Sequence, residues 1–415
     1  MPASQSTLKL KLCLFMFLQY FIWGCWYVSM GAYLTNRLGF EGGQVGLAYG
    51  AFAIGAMISP FLVGLIADRY FASEKLLCFL GLAGGLMLCL LPRFQSFSTF
   101  YPALIGYCGL YVPTLALGNS LSLHHLANAK VDFPRVKMLS AVGWIAGLAT
   151  VNAVDGVESP IQFYLAGSAS ILFGLFCLTL PHTPPMKAGA DVSLGEILGL
   201  DALALLKKPS FAIFIGCMFL ICLPLYFYFV NLGIYLTQLE WRNMLVKTSL
   251  AQVSDIAFFL LLPLFLARFG YKWTILLGIA CWVARYFALS ASVTAGTARD
   301  ALIFGAILLH GVCYDFLFIA GQLYVDDEAN PRIRGAAQGL IAFILWGVGA
   351  FVGTALAGLV MDRYKLPTAV GGLDHDWASI WQLPAWGALA VLVVFALCFR
   401  NPQGKATPEP LPDAA

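Results

Sequence analysis

Runs of about 20 apolar residues, separated by short polar stretches, recur along the whole chain. A helix needs roughly 20 apolar residues to cross a bilayer core, and lipid leaves only helices and closed barrels as spanning structures. The pattern predicts an all-α polytopic membrane protein with twelve helices, over 9–36, 43–67, 74–92, 98–124, 136–154, 159–180, 210–238, 247–267, 273–294, 299–324, 335–361 and 378–399. The longest polar stretch, Pro181 to Pro209, divides these six and six. It opens with PHTPP and closes with LGLDALALLKK, patterned as an amphipathic surface helix. The organisation expected is a first half over 1–180, a cytoplasmic linker over 181–209, a second half over 210–400 and a cytoplasmic tail over 401–415. Lys9 and Lys11 precede the first apolar run as in a signal peptide. That run is long and has no small-residue cleavage site, so it is expected to remain as the first span.

Composition agrees with this pattern. The 415 residues are 60% hydrophobic and 11% charged, with a mean hydropathy of +0.82. Soluble domains carry about 25% charged residues, so that class is excluded. A net charge of +3 with no basic block gives no reason to expect a nucleic-acid partner. The 11 cysteines are scattered through apolar runs without a CxxC pair, and read as small apolar fillers rather than metal ligands or disulfides. With both termini inside, 16 Lys and Arg residues lie on the inner side and 7 on the outer, with Arg285 inside a span. That excess places both termini in the cytoplasm of a multi-pass plasma-membrane (inner-membrane) protein.

Chemistry then has to come from the few polar groups within spans. LLHGVCYDFLFIAGQ, from Leu308 to Gln322, sets Asp315 and His310 in an apolar and aromatic run. A carboxylate at mid-bilayer costs about 2.5–3.5 kcal/mol on insertion scales. Such a group either faces a watered cavity and acts there, or is neutralised by a packing partner. AQVSD puts Gln252 and Asp255 three residues apart, on one helix face. Arg285 either pairs with one of these acids or snorkels to the interface.

Elsewhere the signals are weaker. Gln19, Tyr20, Trp23 and Trp26 form a stripe on the first span that suits helix packing, an interfacial belt or a ligand wall. Asn119, Ser120 and the pair His124 and His125 are equally open, and no third ligand makes the histidines a metal site. Lys137, at the start of the fifth span, is placed to reach into a cavity. In the seventh span Pro224 precedes the ring block Tyr226 to Phe229, then Asn231 and Gly233, as in a bent helix whose rings line something flat. No HExxH, GxSxG or paired Asp beside a glycine-rich loop supports an intramembrane enzyme. A sensor would be expected to carry a signalling domain or a long tail.

Two loops share a pattern: GLIADRYFASEK (Gly64 to Lys75) after the second span, and FLARFGYK (Phe265 to Lys272) after the eighth. The first resembles the GxxxDR loop of the major facilitator superfamily, and the second is a degenerate version in the other half. GLVMDRY (Gly358 to Tyr364) repeats the first heptapeptide on the expected outer side, with no mechanism to assign to it. Along nearly the whole chain, FLQYFIWGCW (17–26), YVPTLALGNS (111–120), DFP (132–134), LTLPHTP (178–184), LGLDALALLK (198–207), AQVSD (251–255), GVCYDF (311–316) and PRIRGAAQG (331–339) resemble the nucleoside:proton symporter family of that superfamily, in order.

The resemblance implies a major facilitator fold and nucleoside import driven by protons. It implies coupling and substrate contact at Asp315 and at Asp255, where the family pattern has glutamate. Gln252 matches a glutamine of the substrate cavity. His310, in place of a tyrosine, and Tyr314 stand at aromatic substrate positions. Lys137 falls where an arginine is expected, Ala141 for a threonine and Trp144 for a phenylalanine. Leu225 and Tyr228 replace a glutamine and an asparagine, and Asn231 is one turn from Tyr228, placed to restore a polar contact. Gln19 completes the expected binding set. Arg to Lys keeps the charge but loses the planar fork, and each lost hydrogen bond removes about 0.5–1.5 kcal/mol. The solute is therefore a nucleoside or another small polar solute, such as a sugar or a modified nucleoside. No metal or cofactor is expected apart from the proton as coupling ion. The expected partners are the solute and the lipid bilayer, for a chain working as a monomer.

Overall fold

The computed structural model describes residues 5–61, 70–185, 200–330, 333–370 and 372–400. In chain order its main helices are α1 (Gln5–Trp26), α2 (Gly42–Phe61), α3 (Ser73–Leu90), α4 (Phe97–His125), α5 (Ala129–Ala153), α6 (Ile161–Cys177), α7 (Pro209–Gln238) and α8 (Leu250–Ser292). There follow α9 (Arg299–Leu308), α10 (His310–Tyr314), α11 (Ala320–Glu328), α12 (Arg334–Ala342), α13 (Gly349–Arg363) and α14 (Trp377–Cys398). Each of the twelve expected stretches overlaps a helix. Among the described residues, eight helical stretches are long and apolar enough to cross a membrane, or nine with one bent pair included. Two of the expected spans, the eighth and ninth, run together as the 43-residue α8. Gly270 interrupts it at φ 68°, a conformation natural to glycine.

The chain forms two compact units. Unit 1 comprises Met1–Leu198, Tyr226–Ser249 and Trp346–Asp376; unit 2 comprises Gly199–Leu225, Leu250–Leu345 and Trp377–Ala415. This grouping differs from the expected halves because two later segments pack on the first six helices. In unit 1, α1 packs on α5, α3 on α6, and α2 on both α4 and α13. In unit 2, α8 packs on α9, α10 and α14.

The α2–α13 contact shows how such packing is made. Lipid tails are as apolar as the side chains, so helix association relies on close approach at small residues. A Cβ on Gly46 would stand 2.3 Å from the Thr354 carbonyl oxygen, and one on Gly358 2.1 Å from that of Gly42. At the end of this contact, Asp362 accepts hydrogen bonds from the amides of Gly42 (2.5 Å) and Gly43 (2.6 Å), the first two residues of α2. Those amides have no partner within their own helix, and a helix N-terminus favours negative charge. GLVMDRY therefore has a structural role: Gly358 admits the close approach and Asp362 caps the neighbouring helix. Of its counterpart near the second span, Gly64 to Arg69 lie outside the described residues.

Three local expectations change. The linker segment Leu200–Lys207 is a 3-10 helix, not an α-helix. It buries Ala202 and Leu205, and that three-residue spacing matches 3-10 geometry; residues 186–199 lie outside the description. The first span continues past α1 into a π-helical turn, Tyr33–Arg37. A small antiparallel hairpin, β1 (Lys365–Val370) and β2 (Leu373–His375), interrupts the otherwise helical chain, turning at Gly372 with φ 82°. Gln238 holds it, accepting from the Asp374 amide (3.2 Å) and meeting His375 Nδ1 (3.3 Å).

Candidate functional site

Unit 2 contains the intramembrane acids. Asp255 is half-buried on α8, and Asp315 is 2% exposed just after α10. The two carboxylates are electrostatic neighbours. Asp255 Oδ1 and Asp315 Oδ2 are both buried, with no hydrogen-bond partner among the described residues. Their helices are close because Gly311 lies against α8: a Cβ there would stand 2.3 Å from the Ser254 carbonyl oxygen and 2.9 Å from the Asp255 amide. The span bearing Asp315 is irregular on both sides of that contact. It bends by 41° between Gly296–Leu308 and His310–Glu328, and Asp315 opens a π-helical turn, Asp315–Ile319. Such irregular turns recur at functional sites.

A second buried charged group lies against α10. Arg285 is fully buried, which excludes the snorkelling alternative. Its guanidinium lies 4.5 Å from the Trp282 ring centroid, and Nη1 stands 3.5 Å from His310 Nδ1. His310 stacks on Tyr314 at 5.6 Å, and Tyr314 meets Phe318 at 4.9 Å. Tyr286 donates to the carbonyl of Pro224 (2.6 Å). Leu225 is buried, and Gln252 is half-buried on the face of Asp255.

Unit 1 contains an aromatic cluster. Trp23 stacks on Phe52 at 4.6 Å and 6°, and meets Trp144 edge-on at 5.2 Å and Tyr20 at 5.8 Å. Lys137 Nζ donates to the Tyr20 hydroxyl (2.8 Å) and to Asn119 Oδ1 (3.1 Å), and lies 4.5 Å from the Tyr20 ring centroid. An ammonium has three donors, so one remains. Gln19 is fully buried: its Nε2 donates to the Thr114 carbonyl (2.7 Å), its backbone carbonyl accepts from the Tyr111 hydroxyl (2.7 Å), and its Oε1 meets no hydrogen-bond partner among the described residues. Tyr228 is buried against Phe229. Asn231 is fully buried, and neither amide atom has a hydrogen-bond partner. His125 meets the Thr183 hydroxyl at 2.7 Å, so that histidine ties down the PHTP segment. Among the described residues no cluster is arranged to hold a metal ion.

The profile of the nucleoside H+ symporter family matches residues 6–404. The chain belongs to that family. It is 36% identical to the YegT protein of Escherichia coli (strain K12), over 96% of this chain and 95% of that one. To the xanthosine permease of the same strain it is 34% identical, over 95% and 96%. The crystal structure of the nucleoside transporter NupG superposes with a TM-score of 0.86 at 27% identity, covering 95% of this chain and 100% of that one. The protein is thus a multi-pass nucleoside–proton symporter of the major facilitator fold, and not an enzyme.

Within this symporter the structure groups the expected residues into two sets. Asp255, Asp315, His310 and Tyr314 come together in unit 2, and Lys137 and Trp144 share the aromatic cluster of unit 1. Sequence reading missed Ser254, Gly311 and Phe52. Ser254 lies inside the AQVSD motif, but its role depends on a helix break about 55 residues away, which no local pattern marks.

Proposed function

We propose that Asp255 and Asp315 carry the coupling proton, and that Gln252, His310, Tyr314, Lys137, Trp144, Tyr228, Asn231 and Gln19 Oε1 form the nucleoside-contacting set. The observation that supports this most directly is the pair of neighbouring buried carboxylates, each with an oxygen lacking a hydrogen bond. A charged carboxylate away from water is unfavourable unless paired. Proton uptake removes that cost and lets the loaded carrier dehydrate and change state; release restores the charge. For a proton carried inward, an inside-negative potential adds about 2.3 kcal/mol per charge per 100 mV. The unpartnered Asn231 amide supports a role in solute contact, because leaving such a group unmet costs about 1–3 kcal/mol.

A second reading concerns the solute. Leu225 and Tyr228 are buried apolar or aromatic positions where the family pattern has amides, which favours a modified nucleoside with fewer polar edges. Proteoliposomes with an inward proton gradient test both readings, using labelled uridine, adenosine, a modified nucleoside and a neutral sugar. Asp315→Asn should cut nucleoside accumulation about 100-fold or more while gradient-free exchange continues. Full accumulation by that variant would refute the coupling role. Accumulation of the sugar alone would refute the nucleoside.

A further inference from the structure

We infer that Ser254 is a positioning residue for proton coupling: its hydroxyl occupies the backbone break of the span that carries Asp315 and fixes that span against α8. The inference rests on the reading of Asp255 and Asp315 as the coupling acids.

The geometry is specific. Ser254 is 7% exposed on α8. Its Oγ donates to the carbonyl of Leu308 (2.5 Å), the last residue of α9, and accepts from the amide of Gly311 (3.1 Å), in the first turn of α10. A break within a membrane helix exposes backbone donors and acceptors that only protein groups can satisfy. A serine hydroxyl offers one donor and two acceptor positions, which suits one carbonyl and one amide on either side of Leu309. Side chains inserted into the helical ladder are a recognised cause of kinks, and this one coincides with the 41° bend.

The position of this contact links it to the acids. Asp255 is the next residue after Ser254, and Asp315 lies one turn beyond Gly311. The path from one carboxylate to the other therefore runs through a single peptide unit, the Ser254 hydrogen bond and one helical turn. Gly311 makes the approach possible, since a methyl there would collide with the Ser254 carbonyl oxygen and the Asp255 amide. A small movement at this joint changes the separation of the two acids, and so how strongly a proton on one is felt by the other. Arg285, His310, Cys281, Cys313 and Tyr314 are further ionisable side chains on or facing α10 among the described residues.

The test compares two readouts of full-length protein in proteoliposomes: uridine accumulation driven by a proton gradient, and uridine exchange without one. Ser254→Ala should lower accumulation about tenfold with exchange within about twofold of the parent. Ser254→Thr, which keeps the hydroxyl, should recover most of the accumulation. Gly311→Ala leaves Ser254 and both acids in place but parts the helices, and should produce the same split. Parental accumulation by Ser254→Ala, or parallel loss of accumulation and exchange in Ser254→Ala and Gly311→Ala, would overturn the inference. Asp315→Asn in the same vesicles separates the levels of the argument. If it still accumulates uridine, the acid-pair reading fails; if it does not, and Ser254→Ala does, only the role of Ser254 fails.

Discussion

The two units surround their intramembrane charges in opposite ways. In unit 1 the Lys137 ammonium has two fixed oxygen partners and an aromatic face. In unit 2 Asp255 and Asp315 each keep an oxygen that meets no hydrogen-bond partner among the described residues. A charge held by fixed neighbours is suited to orient a solute. A charge left open is suited to gain and lose a partner during a cycle. Under the proposed function, Lys137 serves solute contact and the two acids serve coupling, although all three are ionisable side chains in apolar surroundings.

After Asp315→Asn, Lys137→Met gives the next largest effect that bears on this contrast. It should raise the KM for nucleoside uptake about tenfold, from the loss of a charged hydrogen bond, while the accumulation ratio at saturating solute stays at the parental value. A collapse of that ratio would erase the division between the sets. Asp362→Ala addresses a third charge, one whose two carboxylate oxygens both have backbone amide partners. Losing a helix cap typically costs about 1 kcal/mol, so the thermal midpoint in detergent should fall measurably, and Asp362→Asn, which keeps an acceptor oxygen, should fall less. An unchanged midpoint would show that the cap does not stabilise the resting protein.

The smallest effect concerns His375 in the hairpin, whose pKa lies below the usual 6.5, chiefly because burial disfavours the charged ring. The unfolded chain then binds the proton more readily, so this contribution to stability is present above about pH 6.5 and is lost as pH falls below it. His375→Gln should flatten the drop in thermal midpoint between pH 7.5 and 5.5. An equal drop in both proteins would assign it to other groups.

The spans were legible because apolar length is a local property, and each expected stretch overlaps a helix. Asp315 and Asp255 were legible for the same reason, as polar exceptions in apolar runs. What escaped depends on contacts between distant segments. Asp362 caps a helix more than 300 residues away, and GLVMDRY alone does not reveal which amides it meets. The break at Leu309 carries no proline, and Ser254 signals its place there only once α8 and α10 are side by side. Gln19 looked like one member of a stripe, yet its amide hydrogens face Thr114 because α1 and α4 bring them together. The helix at Leu200–Lys207 was legible as amphipathic, but its 3-10 period was not, because Ala202 and Leu205 fit either helical period over so short a stretch.

The glycine contact between α2 and α13 has a practical consequence. Backbones that approach this closely leave no room for even one methyl, so Gly46→Ala or Gly358→Ala inserts a wedge at a chosen point. The wedge penalises only arrangements in which these helices touch. It leaves alone any arrangement in which they have separated, and neither residue belongs to the solute or proton sets. Transport by such a variant therefore reports whether the seam opens during the cycle, with the chemistry of the acids and the solute contacts left unaltered.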